Sequence, residues 1–162
     1  MSLTVPNAPI ATPAEIATCD TAVKRWAEAR MAETAAVVAV DRQPELGRWY
    51  LRLRGEEKET ITIWLTIRQR TLHHETQVMP APEVNVEQTF EYLLRRNADL
   101  HQMHFALGAE DAVYLVGEVP VMAVDEEELD RIVGSSLAYV EASFSTAMSI
   151  GFAGRYRRRR PA

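Results

Sequence analysis

Two stretches in the first half of the chain alternate strictly between apolar and polar residues, and they restrict the fold more than any other feature. In 48–54, Trp49, Leu51 and Leu53 alternate with Arg48, Tyr50, Arg52 and Arg54. In 60–67, Ile61, Ile63, Leu65 and Ile67 alternate with Thr60, Thr62, Trp64 and Thr66. Neighbouring strand side chains point to opposite faces, so a period of two over this length requires a sheet with one firmly buried face. The link Gly55-Glu56-Glu57-Lys58 reads as the turn of a hairpin. The second face carries Tyr50 and Trp64 among arginines and threonines.

Helices and further strands surround this hairpin. Thr12-Pro13-Ala14-Glu15 predicts a helix start with a capping box and proline at the first helical position, and Ile16, Val23, Trp26 and Ala27 give it an apolar side. The β-branched run from Thr34 to Val40 predicts a short strand, and Asp41 to Gly47 a turn. Residues 70–78 predict a weaker strand ended by Pro80 and Pro82. Asn85 and Gln88 form a second capping box before a helix through Phe90, Leu93, Leu94 and Asn97, with Asn97 as its left-handed C-terminal cap. Residues 101–107 and 112–119 predict another hairpin, interrupted at Pro120. Asp125 opens a last helix whose acidic first turn suits the macrodipole. Its stripe is Leu129, Ile132, Val133, Leu137, Val140, Phe144 and Met148, and Gly151 stops it. The fold class is therefore α+β: an antiparallel sheet packed with three helices, in the order α, three or four strands, α, two strands, α.

At 162 residues the chain fits one domain, expected over 1–154 with a flexible start at 1–11 and a basic tail at 155–162. With 47% hydrophobic and 25% charged residues, it has the composition of a globular core former that needs no metal or disulfide to hold it together. The single cysteine, Cys19, excludes an intrachain disulfide and points to a reducing compartment. No apolar run approaches the ~18–20 residues that span a bilayer, and Met1 to Ala11 lacks the pattern of a secretory signal, so a cytoplasmic protein is expected. Without Arg155, Arg157, Arg158, Arg159 and Arg160, 13 basic residues face 23 acidic ones. An acidic body thus carries a cationic tail, which argues against nucleic acid as the partner of the body.

Several phrases of the second half resemble the YbjN-domain family, in its actinobacterial branch. They are Arg70-Thr71-Leu72-His73-His74-Glu75, Met79-Pro80-Ala81-Pro82-Glu83, Tyr92-Leu93-Leu94-Arg95-Arg96-Asn97, Phe105-Ala106-Leu107, Tyr114-Leu115-Val116-Gly117 and Asp125 through Ile132. The likeness covers about residues 46–152. It implies a type III secretion chaperone-like fold, a bacterial sensory-transduction regulator, and a homodimer that binds other polypeptides. It brings no catalytic residues and no cofactor.

The residues themselves argue against an enzyme. Cys19 lacks a local base, and there is no glycine-rich phosphate loop, nucleophile elbow or zinc-protease motif. His73 and His74, like His101 and His104, have spacings that put each pair on opposite faces of a strand, so neither pair chelates locally. They read as surface or core-edge histidines; the alternative is a small-molecule or metal sensor assembled from both pairs. Asp125 to Glu128 and Asp130 lack the glycine turn of a calcium loop and read as a helix start. Two features remain for binding. The face bearing Tyr50, Trp64 and Arg52 is either covered by a helix of the same chain or is a protein-binding or dimer surface. The tail Arg155, Arg157, Arg158, Arg159, Arg160 is either solvated or contacts an anion or a partner. The expectation is a non-catalytic, chaperone-like protein-binding module of regulatory or stress-response role.

Overall fold

The computed structural model describes residues 8–158. Three helices and six strands follow in the order α1 (Pro13–Glu33), β1 (Val37–Gln43), β2 (Arg48–Arg54), β3 (Thr60–Ile67), β4 (Thr71–Met79), α2 (Val86–Asn97), β5 (His104–Leu107), β6 (Val113–Pro120) and α3 (Glu126–Gly151). The strands form one antiparallel sheet in the order β1-β2-β3-β4-β6-β5, so the chain is α+β with the expected element order.

All three helices lie on one side of the sheet. Helix α1 packs on β1 and β3, α3 lies over β4 between α1 and α2, and α2 reaches the β5 edge. The shared core joins Val23, Trp26, Ile132 and Val140 of the helices to the apolar alternates Leu51, Ile63, Leu72 and Leu115 of the strands. Each of those strand side chains is fully buried, which at ~25 cal/mol per Å² makes this layer the main source of stability. Among the described residues the result is two layers, with one sheet face against helices and the other free of them.

Polar clamps fix the helices to this layer. The Asp20 carboxylate accepts the Trp49 indole N–H at 2.9 Å and a fork from Arg42, whose guanidinium sits 5.5 Å over the Trp49 ring. Asp130 repeats the pattern between α3 and α1, accepting Trp26 Nε1 at 2.8 Å and both Nε and Nη2 of Arg30. The hairpin turn after β2 is held by Glu141 of α3, whose carboxylate accepts the backbone N–H groups of Glu56, Glu57 and Lys58.

Several expectations need correction. The first strand runs from Val37 to Gln43, not Thr34 to Val40; Asp41, Arg42 and Gln43 pair with Tyr50, Trp49 and Arg48, so tertiary pairing overrides their turn character. The turn is only Pro44 to Gly47, with Gly47 at φ 58°, where a Cβ would stand 3.0 Å from the Ile67 carbonyl oxygen. The strand that reads as weak, β4, is central, because its buried alternates include the polar His74 and Thr76. The capping box at Thr12 is present, but the one at Asn85 is not. Asn85 is left-handed at φ 50°, and its side chain donates instead to the Ile150 carbonyl. Strand β5 begins only at His104. On α3, the fully covered line passes through Ser136, Ser143, Ala147 and Gly151, with Leu137, Phe144 and Met148 half-buried at its flank. Gly151 is the last helical residue, and a Cβ there would meet Pro82 at 2.8 Å; it serves close packing, not the stop.

Candidate functional site

The helix-free face is a set of side-chain rows running across the strands. One row follows the pairing Asp41–Tyr50–Trp64–Glu75–Val116–His104. The next, toward the start of β2, is Gln43–Arg48–Thr66–His73–Glu118. On the other side Ala39 lies beside Arg52 and Thr62, and Tyr114 beside Gln77 and Ala106.

Tyr50 and Trp64 sit directly opposite each other, edge to face with centroids 6.2 Å apart. The Tyr50 hydroxyl donates to Gln43 Oε1 at 2.6 Å, and Arg48 Nε donates to Thr66 Oγ1 at 3.0 Å, so the centre is held in place before anything binds. Both aromatics are half-buried, and among the described residues the helices pack on the other face of the sheet. Arg52 is exposed, has no ion pair among the described residues, and lines a shallow depression of about 260 Å³ with Tyr50, Asp41 and Thr62. Charge is divided across the face. Arg48, Arg52 and Arg54 stand on β2 with Asp41 beside them on β1, whereas Glu75 and Glu118 stand on β4 and β6.

The histidines separate by face. His74 is fully buried under the helices, which corrects its reading as a surface or core-edge residue. Its imidazole fits because residue 117 is glycine: a Cβ there would lie 2.5 Å from His74 Cε1 and 2.6 Å from the Gln102 carbonyl oxygen. Nε2 of His74 has no hydrogen-bond partner among the described residues. Burial above all, with help from nearby His73 and Arg131, pushes its pKa down to about 4, so the ring is neutral. His73 lies on the open face, 3.6 Å from Glu75. His73 and His104 both line a cleft of about 750 Å³ beside β6, at the end where β5 begins. Among the described residues no three His, Cys, Asp or Glu side chains come together as a metal site.

The remaining candidates are engaged in the fold. Burial, reinforced by Asp20, pushes the Cys19 thiol up to about 12, which makes it a packing residue without nucleophilic character. Asp125 caps the Glu128 N–H, Glu128 pairs with Arg131, and Asp130 forms the clamp described above. Part of the cationic tail folds back: Arg155 pairs with Glu83 and Arg158 with Glu57. Between them Tyr156 meets the Phe144 ring edge-on at 5.8 Å, its hydroxyl 3.1 Å from Ser145 Oγ. The bonds from Arg158 and Ser145 pull the Glu57 carboxyl down to about 2. Arg157 is exposed; Arg159 and Arg160 lie outside the described residues.

Asn97 has a role that its sequence position conceals. It is the last residue of α2 and is not left-handed. Its side-chain oxygen accepts the Phe105 N–H at 2.7 Å, and its amide faces the Phe105 carbonyl at 3.4 Å. One side chain thus satisfies the outer edge of β5 as a neighbouring strand would. The signal available in the sequence was an amide ending a helix shortly before a short strand.

These features define a two-layer α+β domain with one open antiparallel face. The family model described as "Putative bacterial sensory transduction regulator" matches residues 22–147, and the chain belongs to this YbjN family. It is similar to an uncharacterised protein of Mycobacterium tuberculosis strain H37Rv, with 33% identity over 102 residues, 63% of this chain and 56% of the relative. An uncharacterised protein of Mycobacterium leprae is 33% identical over 105 residues, 65% and 57% of the two chains. The chain therefore spans just over half the length of the curated relatives it matches. No helix among the described residues is long and apolar enough to cross a membrane.

Proposed function

We propose that this domain is a non-catalytic protein-binding module, a cytoplasmic regulatory component of the chaperone-like kind, and that it makes its protein contact with the open sheet face. The observation that carries this reading is the Tyr50–Trp64 pair, fixed by Gln43 and flanked by exposed Arg52, in the middle of a face that no helix covers. Aromatic and arginine side chains are enriched where protein interfaces desolvate, and rigid rings bury much area at little entropic cost.

The test is retention of protein by the intact domain and by its Trp64→Ala and Arg52→Glu variants, each first shown to be folded by near-UV circular dichroism. A stoichiometric polypeptide, a second copy of the chain included, should be held by the intact domain and lost from both variants. Equal retention by all three would remove the open face as the contact surface.

A further inference from the structure

We propose that the occupant of the open face is the same face of a second copy, the two related by a two-fold axis that runs parallel to the strands between β3 and β4. This rests on the reading of that face as a protein-contact surface and names the partner. The argument comes from the order of residues along the rows. Such an axis keeps each row at its height and reverses it, so β2 meets the partner's β6, β3 the partner's β4 and β1 the partner's β5. Read against its own reverse, the central row sets Asp41 against the partner's His104, Tyr50 against the partner's Val116 and Trp64 against the partner's Glu75. In the next row Arg48 meets the partner's Glu118. In the third, Arg52 meets the ring of the partner's Tyr114, a cation–π arrangement. Every contact occurs twice, as a two-fold interface requires.

Charge also rejects the competing geometry. A two-fold axis across the strands would lay β2 antiparallel over the partner's β2 and bring the arginines of one copy, Arg48, Arg52 and Arg54, among those of the other, and like charges in contact cost several kcal/mol. The division of the face into an arginine half on β2 and a glutamate half on β4 and β6 thus selects the axis along the strands. The area is adequate. Six strands about 4.8 Å apart and some seven residues long cover on the order of 550 Å² in projection. Side-chain relief raises that toward the ~800 Å² per partner of a stable complex, and packed sheets align their strands to within about 30°.

The experiment is sedimentation equilibrium of the full chain at micromolar concentrations, with Arg48→Glu and Glu118→Arg alone and mixed in equal amounts, far-UV circular dichroism confirming the fold of each. The parent should be a dimer, and each variant alone should dissociate about tenfold more readily or worse, because the reversal puts like charges together at both symmetric contacts. The equimolar mixture should recover a heterodimer near parental affinity, since each copy then offers what the other lacks. A monomeric parent, or a dimer that neither variant weakens, or a mixture no tighter than the variants alone, would overturn the arrangement. A monomeric parent that still loses a bound polypeptide on Trp64→Ala would overturn the second copy as occupant while leaving the protein-contact reading in place.

Discussion

The two faces of the sheet are made by the same strands, one residue to each side in turn, yet they are held by different physics. On the covered face Leu51, Ile63, Leu65 and Leu115 lose all contact with water, and the polar groups admitted there are few. On the open face the same strands carry rings, guanidiniums, hydroxyls and carboxylates, some of them held by cross-strand bonds such as Tyr50 to Gln43 and Arg48 to Thr66. The first face specifies the register, because a slip by one residue would exchange the two sets entirely. The second face inherits that register and is free to encode recognition. The core and the proposed contact surface thus lie on opposite sides of a single layer of backbone.

The sharpest way to break this comparison uses adjacent residues of β3. Ile63→Ala on the covered face should cost about 3–4 kcal/mol, the transfer term plus the cavity it leaves. Trp64→Ala on the open face should cost about 1 kcal/mol or less, although it removes the larger side chain. Urea denaturation with a common m-value decides between them. Comparable losses at the two positions would mean that the open face is part of the stabilising core.

Adjacent residues of β4 sharpen it further. His74 binds its proton only at about pH 4 in the fold but at its ordinary value of 6.5 when unfolded. The unfolded chain therefore takes up the proton first as pH falls, so stability is full above about pH 6.5 and is lost on the way down to about pH 4, by about 3 kcal/mol from this group. His73 and Arg131 push in the same direction and Glu128 opposes them. In His74→Met the slope between those pH values should flatten, while in His73→Gln it should persist. Denaturation midpoints between pH 4 and 7 report it, and an unchanged slope in His74→Met would assign the acid sensitivity elsewhere.

The same division explains what the sequence discloses. Strict alternation in 48–54 and 60–67 made the hairpin, its buried face and the α+β class legible, because burying one whole face leaves no choice of residue type. Strand β4 was harder to read because His74 and Thr76 occupy core positions, and His74 is tolerated only through the space at Gly117, some forty residues on in the chain. Asp41 to Gln43 carried turn chemistry that the Arg42–Asp20 fork and the pairing with β2 overrule. The candidate surface was legible as a set of residues, Tyr50, Trp64 and Arg52, but not as a surface. Whether a helix lay over them depended on all three helices choosing one side, and that choice rests on contacts such as Asp130 with Trp26 that link distant segments. The work of Asn97 at the β5 edge was hidden for the same reason: its partner is a backbone group, which no residue type advertises.

The smallest effect concerns a segment that belongs to the covered side alone. Arg155 and Arg158 reach Glu83 and Glu57, while Tyr156 rests on Phe144 of α3, so the described part of the tail is fastened to the helix layer and hairpin turn and not to the open face. These ion pairs are exposed, and exposed pairs gain little in water and are screened by salt. A chain ending at Gly154 should therefore melt only slightly below the parent at low ionic strength, and the gap should narrow as salt is raised to the residue left by losing the Tyr156–Phe144 contact. The proposed dimer should be unchanged, since among the described residues the side chains of the tail engage Glu83, Glu57, Phe144 and Ser145 and not the open face. A large, salt-independent loss of stability would make the segment part of the core, and a loss of dimer without a loss of stability would shift the contact surface from the open face to the tail.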